Sequence, residues 1–165
     1  MIGSTTALYC VFGNPVSHSK SPLIHNAAFH AHHVDAVYLA FEITDIKSGV
    51  DAIRSLNIIG TSVTIPFKEV IISHLDWIDD EAEAIGAVNT VVNKNGRLKG
   101  YNTDSKAAID PLMPYGIKNK TVIVIGAGGA AQAVAYGISR QGGKLIVVNR
   151  SEKRGSQLAD KYLAP

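Results

Sequence analysis

A single cysteine, Cys10, in 165 residues cannot close an internal disulfide, and no Cys/His spacing suits a zinc site, so neither staple underlies the fold. Charge of one sign is also scarce. Sixteen Lys and Arg against 14 Asp and Glu leave a formal +2, too little to attract nucleic-acid phosphates, and no basic cluster concentrates it. The N-terminus has no basic segment leading into a long apolar run; Met1 to Ser17 breaks at Gly13, Asn14 and Pro15, which argues against a signal peptide. The uncharged stretch that could mislead a hydropathy scan, Thr121 to Ser139, is interrupted by Gly126, Gly128, Gly129 and Gln132. It reads as strand, turn and buried helix rather than a membrane span. What remains is an ordinary globular composition, 46% hydrophobic and 18% charged, long enough for one domain or two small ones in a reducing, cytoplasmic setting. A small-molecule partner is expected, with no nucleic acid, membrane or metal.

Apolar runs and helical spacings alternate along the chain. Strands are expected at Ala7–Phe12, Val37–Phe41 and Ile58–Ile65, with a helix from Ser21-Pro22 and another after Asp45, a fair N-cap. Helical segments follow at Val70–His74 and Ile78–Ala84. A hairpin of Val88–Asn93 and Leu98–Tyr101 is expected to turn at Asn95-Gly96. After a short helix from Ser105 to Met113, the segments Thr121–Ile125, Gly129–Gln141, Lys144–Val148 and Glu152–Leu163 read strand, helix, strand, helix. The fold class is therefore α/β with a mostly parallel sheet. Pro114-Tyr115-Gly116 is the best candidate hinge between two halves. The histidines His30, His32 and His33 read as a helix end rather than a metal site, because imidazoles so spaced do not share one helical face.

Chemistry is legible in two places. The first is Gly126-Ala127-Gly128-Gly129-Ala130-Ala131, a G-x-G-x-x-A between a strand and a helix, where backbone N–H groups can approach a pyrophosphate. At the end of the next strand, NAD enzymes place an acid for the ribose 2′-OH. Here Asn149-Arg150-Ser151 stands instead, with Arg154 one helical turn beyond Arg150. Two guanidinium groups so spaced suit a 2′-phosphate, which favours NADP over NAD. The second place is a set of polar islands. Ser17-His18-Ser19-Lys20-Ser21 precedes a helix N-terminus and can cradle a carboxylate, although serine capping alone accounts for part of it. Lys68 follows a strand end, where sites in open parallel sheets sit. Gly86-Ala87-Val88-Asn89-Thr90 and Gly100-Tyr101-Asn102-Thr103-Asp104 flank the hairpin with more amide, hydroxyl and carboxylate groups than turns require.

In that order, Gly13-Asn14-Pro15-Val16-Ser17-His18-Ser19-Lys20-Ser21-Pro22, Val63-Thr64-Ile65-Pro66-Phe67-Lys68, Gly86-Ala87-Val88-Asn89-Thr90, Asn102-Thr103-Asp104, the glycine loop and Asn149-Arg150-Ser151 resemble the shikimate dehydrogenase family over nearly the whole chain. The resemblance implies a substrate-binding α/β domain over residues 1–105 and the first part of a Rossmann-like NADP-binding domain over 106–165. It implies the NADPH-dependent reduction of 3-dehydroshikimate to shikimate in aromatic amino-acid biosynthesis. Carried over by position, Ser17 and Ser19 hold the substrate carboxylate, while Thr64, Asn89 and Asp104 grip ring hydroxyls. Lys68 and Asp104 form the catalytic pair. Gly126, Ala127, Gly128, Gly129 and Ala130 contact the pyrophosphate, and Asn149, Arg150 and Arg154 read the 2′-phosphate.

No Tyr-x-x-x-Lys is present, so Lys68 is the acid/base candidate; desolvation would lower its pKa and an ionised Asp104 would raise it. Asp104 is therefore expected to orient Lys68 and the substrate hydroxyl. Three departures stand out: Ser62 where the family usually has Asn, Ser105 where it usually has Gly, and a chain shorter than family members. The sheet in the second domain is accordingly expected to show an unpaired edge and an uncovered apolar face. Two other outcomes are a quinate/shikimate dehydrogenase and a shikimate-binding fragment with weak turnover. The expected assembly is a monomer or homodimer.

Overall fold

The computed structural model describes residues 2–163, and the chain separates into two compact units. The first comprises residues 1–79 and 88–101, the second residues 80–87 and 102–165.

In the first unit, β1 (Ala7–Gly13) leads to α1 (Ser21–Ala31), β2 (Ala36–Glu42), α2 (Ile46–Ser55) and β3 (Gly60–Val63). A 3₁₀ helix (Val70–His74), β4 (Trp77–Ile78) and the hairpin β5 (Thr90–Lys94) and β6 (Arg97–Tyr101) complete it. The six strands form one sheet in the order β2-β1-β3-β5-β6-β4. β1 runs parallel to β2 and β3, and β4 parallel to β6, while β5 is antiparallel to both β3 and β6. The antiparallel β5–β6 pair follows from the hairpin. Its two-residue turn puts Asn95 at φ 54° and Gly96 at φ 82°, the left-handed pair that a type I′ connection needs. Asp45 does cap α2: its carboxylate accepts from the Ser48 N–H at 2.8 Å and the Ser48 hydroxyl at 2.6 Å. Ile46, Val50 and Ile53 then turn inward at helical spacing toward a core that includes Phe12, Ile58, Val63, Val91 and Leu98.

The second unit holds α3 (Asp80–Ile85), α4 (Asp104–Ile109), a 3₁₀ helix (Asp110–Tyr115), β7 (Thr121–Ile125), α5 (Gly129–Arg140), β8 (Lys144–Val148) and α6 (Glu152–Leu163). β7 and β8 pair in parallel as a two-stranded sheet. Val124 and Leu145 point into a core with Ile109, Ile117, Ala135, Ile138 and Leu158. On the opposite face Ile123 lies beside Ile146 and Ile125 beside Val148, and all four stay exposed, Ile125 at 84%. This is the uncovered apolar face expected from the sequence.

Three expectations change. Pro114 to Gly116 lies inside the second unit, so it is not the divide; the chain crosses at 79/80, 87/88 and 101/102 instead. The third strand is shorter than Ile58–Ile65, because Thr64 to Phe67 turns back on itself through the Phe67 N–H to Thr64 carbonyl bond at 2.9 Å. β4 is an element that its sequence did not announce. The histidines do lie at a helix end: His32 caps α1 and His33 follows at φ 54°. Among the described residues no helix is long and apolar enough to cross a membrane.

Candidate functional site

The last residues of β1 and β3 lie side by side, Phe12 opposite Val63, so the loops leaving both strands share one end of the sheet. Such carboxyl ends are where open α/β sheets place ligands. Main-chain bonds lock the loops together: the Thr64 N–H donates to the Phe12 carbonyl and the Asn14 N–H to the Ile65 carbonyl, both at 2.9 Å. Gly13 is what permits this approach. A Cβ there would sit 2.5 Å from Thr64 Cγ2 and 3.3 Å from the Ile65 oxygen. From the other side, the Val16 N–H donates to Glu42 Oε2 at 3.2 Å and Asn14 Nδ2 to the Ile43 carbonyl at 3.2 Å.

Ser17 and Ser19 follow on this pinned loop, Ser17 exposed and Ser19 half-buried. Ser21 opens α1 rather than capping it; the Ser19 hydroxyl accepts from the Ser21 N–H at 3.3 Å. The next island is tied in likewise. The Val63 N–H donates to the Asn89 carbonyl and the Val88 N–H to the Lys68 carbonyl, both at 2.8 Å. Thr64, Lys68 and Asn89 are each half-buried. The Asn89 side-chain oxygen accepts from the Thr90 hydroxyl at 2.8 Å. Five of the six substrate residues expected from sequence, Ser17, Ser19, Thr64, Lys68 and Asn89, thus belong to the first unit.

Asp104, the sixth, begins α4 in the second unit. Its backbone N–H donates to Asn102 Oδ1 at 2.9 Å, and Asn102 Nδ2 donates to the Ala87 carbonyl at 2.8 Å. Asn102 is buried and fixes where α4 starts, a role that sequence reasoning did not assign. An asparagine two residues ahead of a helix is the local signal that could have suggested it.

Tyr38 was also missed. It is 3% exposed, packed with Val11 and Val16, and its hydroxyl donates to Ser62 Oγ at 2.6 Å. Burial raises its phenol pKa above the ordinary value, and the bond to Ser62 pulls partly back.

The glycine loop is where the motif predicts it, between β7 and α5. Gly126 has φ 113°, a conformation that favours glycine, and its N–H donates to the Val148 carbonyl at 2.8 Å. Gly128 differs. Its φ is −94° and a Cβ there would meet nothing within 4 Å, so neither backbone nor packing requires glycine. The open space above it, at the N-terminus of a twelve-residue helix with no side-chain cap, fits close approach by a phosphate group. Gly129 and Ala130 begin that helix, and Ala127 is buried beneath it. Asn149 directly follows β8, its Nδ2 donating to the Ser151 carbonyl at 2.8 Å, while Arg150 and Arg154 are exposed around Ser151.

Hydroxyl, amide and ammonium groups thus gather at a strand end in one α/β unit, and a strand, glycine loop and helix stand together in the other. Two domain families agree: the shikimate dehydrogenase substrate binding domain matches residues 11–91, and shikimate / quinate 5-dehydrogenase matches residues 111–165. The chain belongs to the shikimate dehydrogenase family. The shikimate dehydrogenase (NADP(+)) of Caldanaerobacter subterraneus is 42% identical over 96% of this chain and 59% of its own length. The Aquifex aeolicus shikimate dehydrogenase crystal structure superposes with a TM-score of 0.92 at 43% identity, over 99% of this chain and 63% of that one. The Thermus thermophilus enzyme, solved with NADP(H) and shikimate, gives 0.86 at 34% identity over 96% and 63%. The chain spans about three fifths of the length of these relatives.

Proposed function

We propose that the protein acts as a shikimate dehydrogenase, interconverting 3-dehydroshikimate and shikimate with NADP(H), residues 1–105 serving the substrate and 106–165 the cofactor. The observation that carries this reading is the main-chain stitching of the Ser17 loop, Thr64–Lys68 and Asn89 at one sheet end. It holds several donors in fixed array for a small polyhydroxy acid, as preorganised recognition requires. The hydroxyls of Ser17 and Ser19 hold the carboxylate, and Thr64, Asn89 and Asp104 fix the ring hydroxyls. NADPH, when bound, supplies the hydride. Lys68 gives the proton that the new carbinol oxygen needs and takes it back in the reverse direction, with Asp104 as the second residue of the proposed catalytic pair. The loop Gly126, Ala127, Gly128, Gly129 and Ala130 receives the pyrophosphate, and Asn149, Arg150 and Arg154 select NADP through its 2′-phosphate. The cytoplasm is the proposed location and a monomer or homodimer the proposed state.

The test is NADP⁺-dependent oxidation of shikimate by this chain, followed at the absorbance of reduced nicotinamide, with NAD⁺ and quinate as controls. Lys68→Ala should nearly abolish turnover while calorimetric shikimate affinity stays within a few fold. A large affinity loss with turnover intact would reverse the role given to Lys68. Absence of both binding and turnover in the unaltered chain refutes the reading.

A further inference from the structure

Tyr38 makes a connection that the proposed chemistry does not use. It stands on β2, yet its hydroxyl reaches across β1 to Ser62 on β3 at 2.6 Å. Its ring rests on Val11 of β1 and on Val16 of the Ser17 loop. The ring is held from three directions. Asn26 on α1 clamps the Tyr38 backbone, donating through Nδ2 to the carbonyl and accepting from the N–H through Oδ1, each at 2.8 Å. His25 stacks on the ring, with centroids 4.3 Å apart and planes at 14°.

A buried phenol needs a partner for its hydroxyl, and here that partner stands two strands away. Tyr38 thereby joins two segments that adjoin candidate substrate residues. α1, which carries Asn26 and His25, begins two residues after Ser19. Ser62 precedes Thr64 by two and faces away from Thr61 and Val63, which are buried on the other side of the strand.

We infer that Tyr38 is a positioning residue for substrate binding, bridging α1, which Asn26 and His25 attach to it, to Ser62 on β3 through its hydroxyl, and so setting the spacing between the Ser17–Ser19 loop and Thr64. The inference rests on the substrate reading above. The distance between carboxylate-binding and hydroxyl-binding groups is then fixed from outside the site, by a residue that need not touch the ligand. Such a bridge acts on ground-state binding and leaves proton transfer at Lys68 untouched.

The test compares the unaltered chain with Tyr38→Phe, which keeps the ring and removes the bridge, and with Ser62→Ala, which removes the acceptor. Amide hydrogen exchange in the ligand-free proteins should accelerate in Tyr38→Phe at both 17–24 and 62–65, with β5 and β6 unchanged. Shikimate affinity by calorimetry should fall about five- to tenfold, the scale of one hydrogen bond, with NADP⁺ affinity unaltered and kcat, where turnover is measured, within twofold. The double variant should bind no more weakly than Tyr38→Phe alone, because both changes break the same bridge. Unchanged exchange in either segment, acceleration spread evenly over the sheet, or additive losses in the double variant overturn the inference. Failure of the unaltered chain to bind shikimate refutes the substrate reading instead, and the exchange pattern alone then decides whether Tyr38 bridges the two segments.

Discussion

Replacing Gly13 by alanine tests the idea that the candidate site depends on two loops being closer than any side chain allows. Gly13 does not have a positive φ, so alanine suits the backbone and only the space is wrong. The new Cβ would begin 2.5 Å from Thr64 Cγ2, and ordinary carbon contacts need roughly 3.5–4.0 Å. Something must therefore yield by about 1 Å. The Ile65 oxygen and Val16 Cβ, both at 3.3 Å, block retreat in other directions, so Thr64 bears the shift. Overpacking of this kind costs about 1–3 kcal/mol, or several degrees in Tm for a chain of this size. A displacement near 1 Å of a positioned group can cost on the order of a hundredfold in function. Thermal unfolding and shikimate calorimetry read the two effects. Thr64→Ser removes the clashing methyl but keeps the hydroxyl, so Gly13→Ala with Thr64→Ser should recover most of the lost stability. Stability and shikimate affinity both unchanged in Gly13→Ala would refute the close-approach argument. So would a double variant no better than the single.

Gly128→Ala should lose under about 1 kcal/mol of stability, since the added carbon meets open space and alanine is only a poorer helix cap; NADP⁺ affinity should drop at least about tenfold if phosphate approaches that backbone. Isothermal titration beside a melting curve distinguishes this from general damage, and equal losses in both would contradict it. Asp76 is the clearest source of acid sensitivity. The Leu98 N–H at 2.7 Å, then the Arg54 guanidinium at 3.0 Å, hold its carboxyl below the usual range. A depressed folded-state pKa contributes stability that is present above the unfolded value of about 3.9 and is lost as pH falls through the folded one. Asp76→Asn should therefore be less stable at pH 7, with the gap closing below about pH 4. A gap that persists into acid would show that shape, and not charge, is what Asp76 supplies.

Local chemistry made much of this molecule readable in advance. Asn95-Gly96 specifies its own turn, Asp45 its own cap, and the glycine loop its strand and helix, because each signal lies within a few residues of its effect. The sheet order was not readable. Nothing near Trp77-Ile78 announces a two-residue strand whose partner, Lys99-Gly100, arrives more than twenty residues later. The antiparallel insertion of β5 beside β3 is likewise a long-range pairing, settled by burial of Val91 and Val63 rather than by propensity. At the candidate site, residues with reactive side chains stood out in sequence, whereas those that aim others did not. Tyr38 looks like any strand aromatic and Asn102 like any turn residue until their partners across the sheet or the next loop are known.

The helix α3 binds partners that are made long after it. The Ile85 carbonyl accepts from Lys161 Nζ at 2.9 Å and the Ala84 carbonyl from the Tyr162 hydroxyl at 3.2 Å, across 76 and 78 residues of chain. At a synthesis rate of about 5–20 residues per second, several seconds separate the emergence of α3 from that of the groups that bind its end. The hairpin of β5 and β6 forms in microseconds once made, so the first unit can close around a segment that it does not keep. For those seconds six residues too few to hold a helix alone are a tether in waiting. An unpaired segment of this kind is open to proteases until its partners arrive.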